Sequence, residues 1–109
     1  MNHWLSICEL GAIPPNTGIC AKVGDKQIAV FFSQRTHKLH AISNYDPIGK
    51  ANILSRGIVG SIDEKICVAS PLYKQHFDLE TGECLEKPEY QVSVYDVRES
   101  NGNIEIKQS

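Results

Sequence analysis

Cysteine and histidine are the side chains here with the widest chemical reach, as nucleophiles, metal ligands or proton carriers. The chain holds four of each. Cys8, Cys20, Cys67 and Cys84 never form C-x-x-C, and no two are closer than twelve positions. Zinc sites and redox motifs use much tighter spacing, so these cysteines are expected as free thiols, as in a reducing compartment. No Cys–His nucleophilic pair stands out, and Gly11, Gly18 and Gly24 do not make a G-x-G-x-x-G phosphate loop. Asp46 before Pro47 is expected to open a turn rather than work as an acid or base beside His40 or His76. Arg56 before Gly57 is expected as an exposed cation closing a turn rather than as an anion site. Trp4 is expected to pack as a core or edge aromatic. The residues thus point to no catalytic site and no metal or cofactor site in this chain.

The elements that position these side chains are short and strand-like. Ile19, Ala21 and Val23 alternate with Cys20 and Lys22, Gly24-Asp25 supplies a two-residue turn, and Lys26–Phe32 returns with Ile28, Val30 and Phe32 on one face. A strand follows at about Leu39–Ser43. A second hairpin spans Ile58–Ala69, turning near Asp63-Glu64. Gln75–Asp78 and Gly82–Leu85 bracket a turn, and Gln91–Arg98 and Asn103–Lys107 flank Ser100-Asn101-Gly102. Single helical turns fit near Cys8–Ala12, ended by Pro14-Pro15, and within Lys50–Leu54. Many short strands at regular spacing predict an all-β domain, a small barrel or sandwich of antiparallel strands.

At 109 residues the chain is expected to be a single domain, 1–109, with enough length for one core. A net charge of −2 argues against a nucleic-acid partner. The longest apolar run, Ile28–Phe32, is far too short for a membrane-crossing helix, and the first residues show no secretory signal. A cytoplasmic location, away from any membrane, is expected.

Two loops break the alternation: Ser43–Gly57 and Cys67–Gly82. Here the chain resembles the Rieske ferredoxin-like family, whose loops read C-P-H-x-G-x-x-L-S-x-G and C-P-x-H-G-x-x-F-D-x-x-T-G. Asp46-Pro47, Leu54-Ser55-Arg56-Gly57, Ser70-Pro71 and Phe77-Asp78-Leu79-Glu80-Thr81-Gly82 keep the frame. The resemblance implies a Rieske-like fold with residues 43–78 as its former cluster-binding subdomain. A Rieske cluster takes two thiolates on one iron and two imidazoles on the other. Matched position by position, with one extra residue before Leu54-Ser55, the four ligands become Asp46, Ile48, Ser70 and Tyr73. Isoleucine has no donor atom, and carboxylate or hydroxyl oxygen is a poor ligand for soft iron–sulfur centres. Cys67, His37, His40 and His76 do not restore the spacing. No cluster is expected.

Within that family, A-I-S-N-x-D-P, L-S-R-G and V-A-S-P-L-x-K-Q-x-F, found as Ala41–Pro47, Leu54–Gly57 and Val68–Phe77, resemble the small subunits of assimilatory NAD(P)H-dependent nitrite reductases. The resemblance implies an accessory chain, itself non-catalytic, of an oxidoreductase that reduces nitrite to ammonium. Sirohaem, an iron–sulfur cluster and FAD would belong to the large catalytic subunit, its expected partner. The alternative is an independent cluster-less module that binds or regulates another protein. The expected contact surface is the former cluster tip, Tyr45, Asp46, Pro47 and Ile48 with Leu72, Tyr73, Lys74 and Gln75. Whether these side chains meet a partner or fill the space a cluster vacated is open at the level of sequence.

Overall fold

Five consecutive apolar residues, Ile28–Phe32, would be wasteful in a strand with one wet face, and the fold buries both faces of the strand that carries them. The computed structural model describes residues 3–72 and 74–108, with the side chains of His3 and Gln108 not included. Strands are β1 (His3–Glu9), β2 (Gly18–Val23), β3 (Lys26–Ser33), β4 (Lys38–Ser43), β5 (Tyr45–Asp46), β6 (Ala51–Asn52), β7 (Ile58–Ile62), β8 (Lys65–Ala69), β9 (His76–Asp78), β10 (Val94–Tyr95), β11 (Val97–Ser100) and β12 (Asn103–Gln108).

The central sheet has the order β10-β4-β3-β2. Alternate residues of β3 enter two different cores. Ile28 and Val30, with Ala21 and Ala41, meet Ile104 and Ile106 of the sheet β1-β12-β11. Ala29 and Phe31, with Ile42, meet Val59, Ile66, Val68 and Phe77 of the sheet β7-β8-β9. Both faces are therefore dry, which is why the run is continuous rather than alternating. The result is a stack of open antiparallel sheets: of the barrel or sandwich expected, the stacked sheets are found, and no closed barrel forms among the described residues.

The hairpin turns follow local chemistry. Gly24 sits at φ 61, and Asp63 and Glu64 both adopt left-handed backbone, at φ 49 and 68. Three expectations are corrected. The N-terminal segment is a strand, β1, paired with β12, and only Leu10–Ala12 forms a 3₁₀ turn. Gln91–Arg98 is not one strand: β10 pairs with β4, and β11 pairs with β12 in the outer sheet. The helical turn expected within Lys50–Leu54 falls later, at Leu54–Arg56, after the small β5–β6 pair. Trp4 is an edge aromatic on β1, with the Arg98 guanidinium 4.0 Å from its ring centre. No helix among the described residues is long and apolar enough to cross a membrane.

Candidate functional site

The loops that the sequence singles out form two matched turns. In Asp46-Pro47-Ile48-Gly49-Lys50 the Lys50 N–H donates to the Asp46 carbonyl at 2.7 Å; across Ser70–Lys74 the Lys74 N–H donates to the Ser70 carbonyl at 2.9 Å. Each turn opens with a polar side chain before proline that accepts from the backbone ahead. The Asp46 Oδ1 receives the N–H groups of Ile48 (2.8 Å) and Gly49 (3.0 Å), and the Ser70 Oγ receives that of Leu72 at 3.4 Å. Each closes on a lysine in left-handed backbone, φ 56 at Lys50 and φ 57 at Lys74. For a residue with a Cβ that conformation costs about 1 kcal/mol. The turns are joined where the resemblance would put the thiolates: the Ser70 hydroxyl donates to Asp46 Oδ2 at 2.5 Å, with both residues buried.

This arrangement does not fit a [2Fe-2S] cluster. Both carboxylate oxygens of Asp46 are occupied by donors, the Ser70 hydroxyl hydrogen is spent on Asp46, and Ile48 packs its aliphatic side chain against the core. Tyr73 lies outside the described residues. Among the described residues no group of three or more His, Cys, Asp or Glu is placed to hold a metal ion. The other candidates are dispersed. Cys67 is buried in β8 opposite Asp78, and its thiol is pushed up by burial and then by Asp78 and Glu86. Burial likewise pushes up Cys84. His76 holds Glu86, Nδ1 to Oε2 at 2.6 Å and its N–H to Oε1 at 2.8 Å. Burial pushes the Glu86 carboxyl up, but these bonds outweigh it and hold it below the usual range. His40 is buried in β4, where desolvation, aided by Lys38, lowers its pKa against the opposing pull of Glu80, Asp78 and the Leu79 backbone. Its Nε2 has no hydrogen-bond partner among the described residues.

The retained frame does scaffolding work. A Cβ on Gly57 would stand 2.3 Å from the Ala69 carbonyl oxygen and 2.6 Å from Val68 Cγ2, so only glycine lets the first loop lie flat on β8. Gly82 adopts φ 82 and would place a Cβ 2.1 Å from the Val92 carbonyl oxygen. Asp78 Oδ1 accepts from Glu80 (2.7 Å) and Thr81 (3.3 Å), shaping the turn that Gly82 ends. A residue the sequence reasoning missed, Asn44, is the hub of the first loop. Its side chain accepts from the Ser55 N–H at 2.7 Å and donates to Gln27 Oε1 at 3.1 Å. Only its place at the end of a strand hinted at this role.

The expected contact residues divide. Tyr45 and Leu72 are 43% and 53% exposed, and Lys74 is exposed. Pro47 is half-buried, Ile48 is half-buried against the core, and Gln75 is half-buried with an Oε1 that has no partner among the described residues. Asp46 is 1% exposed, which puts it beneath the tip rather than on it. Arg56 is exposed at the end of the 3₁₀ turn, and it, Ile58, Pro71 and Lys74 line a groove of about 390 Å³ beside the second turn.

Stacked antiparallel sheets with two proline-led turns at one tip, tied by the Asp46–Ser70 hydrogen bond, define a Rieske-type domain. The family model described as "Rieske-like [2Fe-2S] domain" matches residues 3–107. The nitrite reductase (NADH) small subunit of Escherichia coli K12 is 38% identical, over 98% of this chain and 99% of its own. The solution structure of the nitrite reductase [NAD(P)H] small subunit from Erwinia carotovora is 48% identical, with a TM-score of 0.79, covering 97% of this chain and 82% of that one. The chain belongs to the small subunits of NAD(P)H-dependent nitrite reductases. A further similarity lies inside a larger protein: 101 residues of the nitrite reductase [NAD(P)H] large subunit of Klebsiella oxytoca, 10% of its length, are 39% identical to 93% of this chain.

Proposed function

We propose that this chain serves a cytoplasmic NAD(P)H-dependent nitrite reductase by docking on its large catalytic subunit, contributing surface and no redox group. The observation that carries this reading is the Asp46–Ser70 bond, which closes the former ligand site while Tyr45 and Leu72 stay outward. Tyrosine and aliphatic side chains on a proline-stiffened tip suit a protein interface. The Klebsiella similarity supports the choice of partner, because a related domain there occupies the same polypeptide as the large subunit. On this reading sirohaem, the iron–sulfur cluster and FAD reside in that partner, and nitrite reduction to ammonium takes place there.

The test is NAD(P)H-dependent nitrite reduction by the catalytic subunit with and without this chain, alongside co-elution of the two. Co-elution and a rise in activity support the accessory role. Neither effect would move the reading to an independent binding module on the same fold.

A further inference from the structure

The two turns share one backbone feature. Lys50 and Lys74 each occupy a left-handed position, at φ 56 and 57, where glycine or asparagine sits more easily. Both are exposed, and none of the ion pairs among the described residues involves them or Arg56. The carboxylates of Asp46 and Glu86 hold Ser70 and His76 rather than a lysine. Lys50, Lys74 and Arg56 are thus exposed cations outside the ion pairs of the described residues, on a chain of net charge −2. Their apolar complement is close at hand, since Ile58, 74% exposed, lines the groove with Arg56, Pro71 and Lys74.

We propose that Lys50 and Lys74 are a paired cationic contact, held out by the matched turns, that docks on an acidic surface of the nitrite reductase catalytic subunit. This rests on the accessory reading above and adds the chemistry of the contact. Opposite charge around an apolar centre steers the encounter and fixes its orientation. Strain kept at two equivalent positions fits side chains selected for what they meet outside the chain.

Affinity of the whole chain for the catalytic subunit, measured at about 50 and about 300 mM salt, tests this. The double variant Lys50→Asn plus Lys74→Asn, which tolerates left-handed backbone without the charge, is expected to melt no lower than wild type. It should bind about tenfold more weakly at low salt and lose most of the salt dependence. Lys50→Arg plus Lys74→Arg should bind as wild type does. An asparagine pair that binds with wild-type affinity and wild-type salt dependence overturns the proposal and leaves the accessory reading standing. A wild-type chain that does not bind at all overturns both.

Discussion

Ser70 and Asp46 show how two buried polar side chains can tie adjoining loops together. A charged hydrogen bond at 2.5 Å between buried partners ties the two loops, and the backbone N–H groups of Ile48 and Gly49 satisfy the remaining oxygen. Ser70→Ala leaves one carboxylate oxygen buried and bare, so a loss of about 2 kcal/mol in a urea melt is expected. Truncations should separate packing from contact. Ile48→Ala removes a side chain packed on the core and should lower stability by about 1–2 kcal/mol. Tyr45→Ala plus Leu72→Ala removes exposed surface and should weaken docking at an unchanged melting temperature. His40 sets a pH dependence. Its folded pKa lies below the ordinary 6.5, so the unfolded chain takes up the proton first. Stability is full above about 6.5 and falls as pH drops below it. His40→Leu should flatten melting temperature against pH in that window, which thermal melts at pH 7.5, 6.5 and 5.5 would register.

At the scale of elements, the turns depend on glycines for two different reasons that substitution can tell apart. Gly24 needs only positive φ, with open space where a Cβ would go, so Gly24→Ala should cost about 1 kcal/mol. Gly82 combines φ 82 with a Cβ site 2.1 Å from the Val92 carbonyl oxygen. Gly82→Ala should therefore cost at least about 3 kcal/mol, as backbone must move as well as twist. Equal melting temperatures for the two variants would contradict the close approach of these segments. The strand β3 sits between two cores, so its alternate residues are not interchangeable. Phe31 contacts the core beneath the tip and Val30 the core beneath the outer sheet.

For the whole molecule, His3 pairs with Gln108, so both ends of the described chain lie on the outer sheet. The two cores on opposite faces of β3 place that sheet and the sheet β7-β8-β9 on opposite sides of the central one. The purified chain is expected to contain no stoichiometric iron or acid-labile sulfide. Metal analysis with visible absorbance checks this, and an iron–sulfur spectrum would contradict the ligand geometry derived from Asp46, Ile48 and Ser70.

Much of this was legible in the residues. Local chemistry determined the hairpins at Gly24-Asp25 and Asp63-Glu64, because turn preference and alternation act over a few residues. The two loop motifs carried the family, and the expectation of no cluster rested on the side-chain identities of Asp46, Ile48 and Ser70 alone. Pairings between distant segments were not legible. The strand β1 exists because β12 offers it an edge about a hundred positions away, and Gln91–Arg98 splits because its halves find different sheets. The same holds for the Asp46–Ser70 bond and the Asn44 hub. Each depends on which buried polar groups meet once the sheets have stacked, and only the tertiary structure decides that.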